Sequence, residues 1–500
     1  MLQRTIQQTN SITAVIESVR NGGGENFCLR ARAGTGKTSS VLELVDDYVR
    51  EFPDHVITLC AFGRDPAAEL REKLKKRGHT DWKKVSASTM HSLGLSTFQW
   101  MFKPEVDDNK VRKLINQENA AVFREHAANI ERLVSFAKIE GFGFFADCQI
   151  GDIGAWYSIA DHYDVNGFDD TSDMDKVVEA AQHIYKLSLA QTNVIDYDDM
   201  ILFPLVKNIR VRFQKDLLIV DEAQDTGRAR QALIRKFVKP RGCTVVVGDD
   251  RQGIFGFAGA QANALDLLID ALKAVVLPLT VCWRCPRKVI ELARQLVPDI
   301  EPAPNAIEGE VLSVDVLPEL VPTDAILCRN TAPLIETAYS LLRKGVACKV
   351  EGREIGTGLL RLVNRWKVST IAAFLQKLDV YKEREIQKAL AKNNESKKAE
   401  IEDRCLTLVH LCNVCIDRKQ TQLDDLRAFI DNMFANDVKG VVTLCTYHRA
   451  KGREWKRVFL QEHASRCPSP WAKQAWQKEQ EANLAYVAIT RAQEVLVFLR

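Results

Sequence analysis

Short runs of β-branched and apolar residues alternate along the chain with stretches whose apolar positions recur every three to four residues. This is the pattern of strands feeding helices in parallel α/β sheets. Asn26–Ala31, His55–Phe62, Asp216–Val220 and Cys243–Gly248 read as buried strands, and Lys37–Arg50, Asp65–Arg77 and Arg228–Val238 as the helices beside them. The alternation then restarts. Ala274–Val281 and Asp324–Arg329 read as strands, Pro333–Gly345 as a helix, and Val441–Thr446 and Trp455–Leu460 as strands. A helix over Gln477–Ala492 and a strand Val495–Arg500 follow. The predicted fold class is α/β, with two similar parallel-sheet cores.

Two stretches break the alternation. Ser96–Thr192 is helical and aromatic-rich and reads as inserted into the first core; Leu359–Lys439 is a second helical stretch, rich in Lys and Glu around Lys382–Arg404, inserted into the second. The expected organisation is therefore a first core from 1–95 and 193–280 carrying insertion 96–192, and a second core from 281–358 and 440–500 carrying insertion 359–439. Within the first insertion, Gly141–Asp175 holds eight aspartates and no Lys or Arg. It reads as a solvated acidic surface, or as a face that repels nucleic acid or docks a basic partner.

Composition narrows the class. A chain of 500 residues exceeds one compact domain, and 46% hydrophobic with 27% charged residues excludes a largely disordered protein. No run of about 18 apolar residues appears, so no membrane span is expected. The polar segment Met1–Ser18 lacks an export signal, and 13 cysteines without regular spacing read as reduced thiols in a cytoplasmic compartment. A net charge of +3 requires any nucleic-acid contact to be a local groove.

The chemistry begins at Ala31-Arg32-Ala33-Gly34-Thr35-Gly36-Lys37-Thr38, which follows a strand and opens a helix. Gly34 and Gly36 let backbone N–H groups face a polyphosphate at a helix N-terminus. Lys37 is expected to reach the β- and γ-phosphates and Thr38 to ligate Mg²⁺. Leu217-Leu218-Ile219-Val220-Asp221-Glu222-Ala223-Gln224-Asp225 is the complement, an apolar strand ending in two carboxylates. Asp221 is expected to hold the Mg²⁺ shell and Glu222 to position and deprotonate the attacking water. Nucleoside triphosphate hydrolysis follows from this pair.

With Val247-Gly248-Asp249-Asp250-Arg251-Gln252-Gly253-Ile254-Phe255-Gly256-Phe257-Ala258, Thr446-Tyr447-His448-Arg449-Ala450-Lys451-Gly452-Arg453-Glu454 and Ala485-Tyr486-Val487-Ala488-Ile489-Thr490-Arg491-Ala492, the chain resembles a superfamily 1 helicase of the UvrD/Rep (PcrA-like) class. The resemblance implies two RecA-like motor domains, ATP and Mg²⁺ as cofactors, and movement on single-stranded DNA. The Lys-Gly-x-Glu form of the late motif is that of the branch moving 3′ to 5′. Gln8 resembles the glutamine that reads the adenine edge, although it also serves as an ordinary polar residue at a helix start. Ala33, Thr35 and Ser39 complete the phosphate loop. Gln252 resembles the γ-phosphate sensor, Arg284 and Arg491 the two arginines presented to the γ-phosphate, Trp283 an adenine-stacking aromatic, and Glu454 the ribose contact. Phe62, Arg64, His91, Phe255, Phe257 and His448 fall at strand-contacting positions, where stacking and phosphate tracking are needed.

Three departures stand out. Ala258 and Ser39 lie where relatives often carry arginine, and Arg64 replaces a common asparagine. The insertion at 359–439 implies a reduced form of the domain called 2B, and the chain's end at Arg500 places any nuclease or clamp activity on another chain. Single-stranded DNA and single-/double-strand junctions are the implied partners, alongside a nuclease or a replication or repair protein. The alternative is a translocase or a nucleotide- or DNA-sensing subunit working with such a nuclease, as in phage defence. Cys282 and Cys285 bracket Arg284, while Cys405, His410, Cys412 and Cys415 cluster in the second insertion. Helical spacing beside Leu408 and Leu411 makes core thiols the expectation there, not zinc ligands.

Overall fold

Strands that are apolar on both faces require cover on both sides, and parallel sheets flanked by helices supply it. The computed structural model describes residues 4–165, 171–261, 263–391, 395–434, 440–470, 472 and 474–500. Positions 166–170 of the acidic stretch and 392–394 of the Lys/Glu-rich stretch lie outside the described residues. The chain divides into two units, Met1–Thr280 and Val281–Arg500.

In the first unit, β1 (Phe27–Ala31), β2 (Ile57–Ala61), β3 (Val85–Thr89), β4 (Lys215–Val220), β5 (Val238–Gly248) and β6 (Val275–Leu279) form one sheet in the order β3-β2-β4-β5-β1-β6. Every pairing is parallel, with Phe27 opposite Val245 and Leu59 opposite Ile219. Ala274–Val281 was expected to restart the pattern. It ends it instead: Val275–Leu279 pairs with β1 at the edge of the first sheet. Arg228–Val238 was expected to be one helix, but the helix stops at Ile234, a 3₁₀ turn covers Arg235–Phe237, and Val238 pairs with Lys215. β3 gave no strand signal because its buried positions alternate with Ser86 and Ser88 and include the small Ala87.

Helices between positions 110 and 190 build their own apolar cluster around Trp156, Phe142 and Tyr185. A buried ionic knot ties them to helix Tyr197–Val206. Lys138 Nζ lies 2.5 Å from Asp196 and 2.8 Å from Asp199, and Lys110 Nζ lies 2.6 Å from Asp199. Removing one partner would strand a buried charge and cost about 3–5 kcal/mol. Helix Met90–Phe102 approaches the same helix so closely that a Cβ on Gly94 would sit 2.0 Å from the Met200 carbonyl oxygen. Glycine at position 94 thus lets the helix that carries His91 in its first turn pack against Tyr197–Val206.

In the second unit, β7 (Glu310–Val314), β8 (Ala325–Cys328), β9 (Cys348–Val350), β10 (Val442–Thr446), β11 (Trp455–Gln461) and β12 (Ala492–Leu499) form a parallel sheet ordered β7-β12-β11-β8-β10-β9. Helices Ile371–Ala391, Glu395–Asp417 and Leu423–Met433 share one apolar cluster with Ile326 and Leu444 of this sheet. Cys405, Cys412 and Cys415 are buried inside that cluster. Among the described residues no helix is long and apolar enough to cross a membrane.

Candidate functional site

The phosphate loop of the first unit leaves β1 at Ala31 and enters helix Lys37–Glu51 through two left-handed glycines, Gly34 at φ 68° and Gly36 at φ 77°. These values favour glycine and turn successive backbone N–H groups into one concavity. Thr35 is buried and its hydroxyl donates to the Arg32 carbonyl at 2.9 Å, which fixes the loop's curl. Ala33 is buried, Thr38 half-buried and Ser39 exposed. Gln8 caps its own helix and donates through Nε2 to Ser40 Oγ at 3.0 Å, placing its amide beside Gly36.

Lys37 Nζ stands 3.4 Å from Glu222 Oε1. Burial alone would push this ammonium down, but Glu222, Asp249 and Asp221 outweigh it and hold it above the usual lysine value. Asp221 is pushed up to about 6 by burial and by Glu222, against the pull of Lys37. Its carboxylate accepts the Glu222 N–H at 2.9 Å. Glu222 itself is held at φ 52°, a strained setting for a non-glycine residue, and accepts from the Gln224 amide. Gln252 Nε2 donates to Asp249 Oδ2 at 2.6 Å, and Arg32 Nη1 lies 3.1 Å from Asp249 Oδ1. Asp249 is fully buried, and burial raises its pKa despite Lys37 and Arg32. Lys37, Asp221, Glu222 and Gln252 are thus drawn into one network.

The same strand ends carry an aromatic shelf. Phe62 stacks on Phe255 with centroids 6.0 Å apart and planes 11° apart, and Phe255 contacts Phe257 at 6.1 Å. Phe257 is 58% exposed and Phe62 38%. Arg230 lies 5.2 Å over the Phe62 ring and 3.3 Å from His91 Nε2. Burial, together with Arg230 and Arg64, drops the His91 pKa to about 4, so this imidazole is neutral at neutral pH. Arg64 donates to the Tyr197 hydroxyl at 2.7 Å, and Tyr197 meets His91 edge-on.

In the second unit Arg284 forms an ion pair with Glu454 and donates to the Thr490 carbonyl at 3.4 Å. Arg491 is fully buried, donating to the Val487 and Arg453 carbonyls at 2.7 and 3.1 Å and to Thr490 Oγ1 at 3.0 Å. Burial and then Arg284 push it down to about 10. Gln493 holds the other oxygen of Glu454 at 2.9 Å, and Trp283 stands 39% exposed beside Arg284 in sequence. His448 does not join this group. It is half-buried near Arg329 and Lys451, and its desolvation drops its pKa to about 3.

Reasoning from sequence passed over Arg32, Asp249, Gln224 and Ser40 around the phosphate loop, and Arg230 and Tyr197 at the shelf. Three of them lie inside motifs already singled out, so the signal was position within the motif. Ser40, Arg230 and Tyr197 gave none. The basic run Arg71–Arg77 is partly engaged in ion pairs of Lys73 with Glu69 and Arg77 with Asp46.

Residues 16–272 match the family model of the UvrD/REP helicase N-terminal domain, and residues 357–499 that of the UvrD-like helicase C-terminal domain. The chain is 25% identical over 280 residues to the ATP-dependent DNA helicase Rep of Escherichia coli (strain K12), covering 53% of this chain and 40% of that protein. It is 26% identical over 294 residues to Rep of Buchnera aphidicola subsp. Acyrthosiphon pisum, covering 53% and 42%. To the ATP-dependent DNA helicase PcrA of Leuconostoc citreum it is 24% identical over 293 residues, covering 54% and 36%. The chain thus spans less than half the length of the curated relatives it matches.

Proposed function

The chain belongs to the UvrD/REP helicase family, and on that premise we propose that it is an ATP-driven motor on single-stranded DNA, moving 3′ to 5′ and unwinding duplex. The observation that carries this reading is Lys37 set among Glu222, Asp221 and Asp249. An ammonium so placed exchanges one carboxylate for phosphate when a triphosphate arrives. Glu222, released from Lys37 but still oriented by Gln224, becomes the acceptor for a proton from water attacking the γ-phosphate. Thr38 and Asp221 fit a Mg²⁺ site, because a hydroxyl and a carboxylate are oxygen donors that leave the other positions to phosphate and water. When bound, that ion neutralises charge developing on the phosphate oxygens. Arg284 and Arg491 of the second unit are the further cations that the resemblance assigns to this chemistry.

Coupling to DNA runs along one stretch of backbone. Asp249 accepts from Gln252, three residues before Phe255 and five before Phe257 on the exposed shelf. A shift of charge at Lys37 reaches a base-stacking surface through that stretch. Phosphate release with and without single-stranded DNA tests the hydrolysis, and strand displacement on 3′- and 5′-tailed duplexes tests the direction. Strand-stimulated turnover and displacement from 3′ tails are expected; displacement from 5′ tails alone reverses the assigned polarity. Ala258, lacking the arginine of relatives, favours a second reading as a translocase feeding a partner nuclease. Strand-stimulated turnover without displacement on either tail supports that one.

A further inference from the structure

Away from the phosphate loop and the aromatic shelf, the first unit carries a concave site of about 660 Å³ lined by Trp100, Met101, Lys207, Arg210, Val211 and Arg212, among others. No carboxylate lines it. Lys207 is engaged, donating to the Leu189 carbonyl at 2.9 Å. Arg210 and Arg212 are exposed, and neither forms an ion pair among the described residues. Arg212 lies flat on the Trp100 indole, 3.3 Å from its centroid. Trp100 and Met101 are each 47% exposed, and Phe213 on the same loop is 77% exposed. Large apolar side chains exposed side by side with uncompensated cations mark an interaction surface, not a solvated face.

We propose that this pocket docks an acidic peptide segment of a partner protein, one that carries an apolar anchor residue. Charge complementarity supplies the acidic half: two guanidinium groups without carboxylate partners match a run of Asp or Glu. The pocket supplies the apolar half, because Met101 and Trp100, each 47% exposed, offer apolar surface to a Leu- or Phe-sized side chain. Location separates this occupant from nucleic acid. His91, on the strand-contacting shelf, opens helix Met90–Phe102, and Trp100 closes it about 13 Å further along. Arg210 and Arg212 precede β4, at the end of the sheet opposite the carboxyl termini of the strands that carry the phosphate loop and Asp221. A strand lying on the shelf does not need this pocket, and a rigid duplex does not enter a concavity of this size.

The test uses the full chain and two short fluorescein-labelled peptides of alternating Glu and Asp, one ending in Leu-Phe and the other in Gly-Ser. Fluorescence anisotropy is expected to show the Leu-Phe peptide binding in about the micromolar range, at least ~10-fold tighter than the Gly-Ser peptide, and weakening as salt rises. Arg210→Glu is expected to weaken it at least ~10-fold. Arg210→Gln, which keeps an uncharged polar surface, gives an intermediate loss and guards against a folding defect, as does an unchanged melting temperature. ATP hydrolysis stimulated by single-stranded DNA is expected to be the same in both variants, so this result stands or falls apart from the proposed motor activity. Equal binding of the two peptides, binding of neither, or loss of duplex DNA affinity in place of peptide affinity in Arg210→Glu overturns the proposal.

Discussion

Lys37 in the first unit lies among three carboxylates, Glu222, Asp221 and Asp249, whereas in the second unit Arg284 pairs with the carboxylate of Glu454, which also acts on the buried Arg491. The first cluster is short of positive charge: burial drives the Asp221 carboxyl up to about 6 and raises Asp249 despite neighbouring Lys37 and Arg32. The second is short of negative charge: Arg491 falls to about 10 through burial and the nearby Arg284. Each imbalance is a standing electrostatic cost in a medium that screens poorly. The two clusters thus ask for opposite partners: a cation beside the carboxylates of the first unit and an anion beside the arginines of the second.

The largest test strikes the carboxylate-rich side. Lys37→Ala removes the ammonium set among these carboxylates, and Glu222→Gln removes the proton acceptor while keeping its shape. Each is expected to lower single-strand-stimulated phosphate release at least ~100-fold. Rates within about threefold of the parent in both variants would mean that the charge surplus of the first unit has no part in hydrolysis.

The arginine side should separate into two kinds of residue. Arg284→Ala removes a half-exposed guanidinium and leaves Glu454 with Gln493, so turnover should fall about 10- to 100-fold with little change in stability. Arg491→Ala also removes a side-chain donor from the Arg453 carbonyl, while the Val487 carbonyl keeps Thr490 Oγ1 at 3.2 Å, adding about 1–3 kcal/mol of destabilisation in urea unfolding. If both variants unfold at the parent's midpoint, the buried arginine is not the framework element its contacts indicate.

A smaller, graded effect follows from Asp221. Its carboxyl titrates at about 6 in place of 3.8, so Mg²⁺-nucleotide affinity should fall roughly tenfold per pH unit below about 6, and Asp221→Asn should flatten the profile. The sign for folding is opposite. Between 3.8 and about 6 the folded protein binds the extra proton, so the nucleotide-free chain loses stability as pH rises through that window. Isothermal titration and thermal melts across pH 5 to 8, an interval chosen to bracket the shifted value, check both signs.

Sheet strands and phosphate loop were legible because their signals are local. Apolar runs such as Leu217–Val220 need burial on both faces, and Gly34 and Gly36 need left-handed backbone. What was not legible depends on meeting in space. The Lys138–Asp196–Asp199 knot joins residues about sixty positions apart, and Arg230 reaches Phe62 and His91 from a helix with no motif of its own. β3 was missed because Ser86 and Ser88 mask an edge strand, and the pairing of Val275–Leu279 with β1 was not legible because pairing partner, unlike strand character, is not encoded locally.

The smallest predicted effect concerns a feature the units share. Thr89-Met90-His91 and Thr446-Tyr447-His448 each stand where a sheet strand ends and a helix begins, and each imidazole is half-buried near an arginine, Arg230 in one and Arg329 in the other. Burial is the larger cause of both shifts and the arginine adds to it, giving about 4 for His91 and about 3 for His448. An imidazole with an ordinary pKa near 6.5 would gain charge between pH 7.5 and 5.5 and tighten phosphate binding as pH falls. These two stay neutral throughout, acting as hydrogen-bonding groups only. Affinity for a single-stranded oligonucleotide at constant ionic strength should therefore change less than about twofold across that range, and His91→Ala or His448→Ala should weaken it by only about 3- to 10-fold at any pH. A rise in affinity on acidification that vanishes in one histidine variant and persists in the other would show that only one unit has a neutral imidazole, and would break the likeness at that residue.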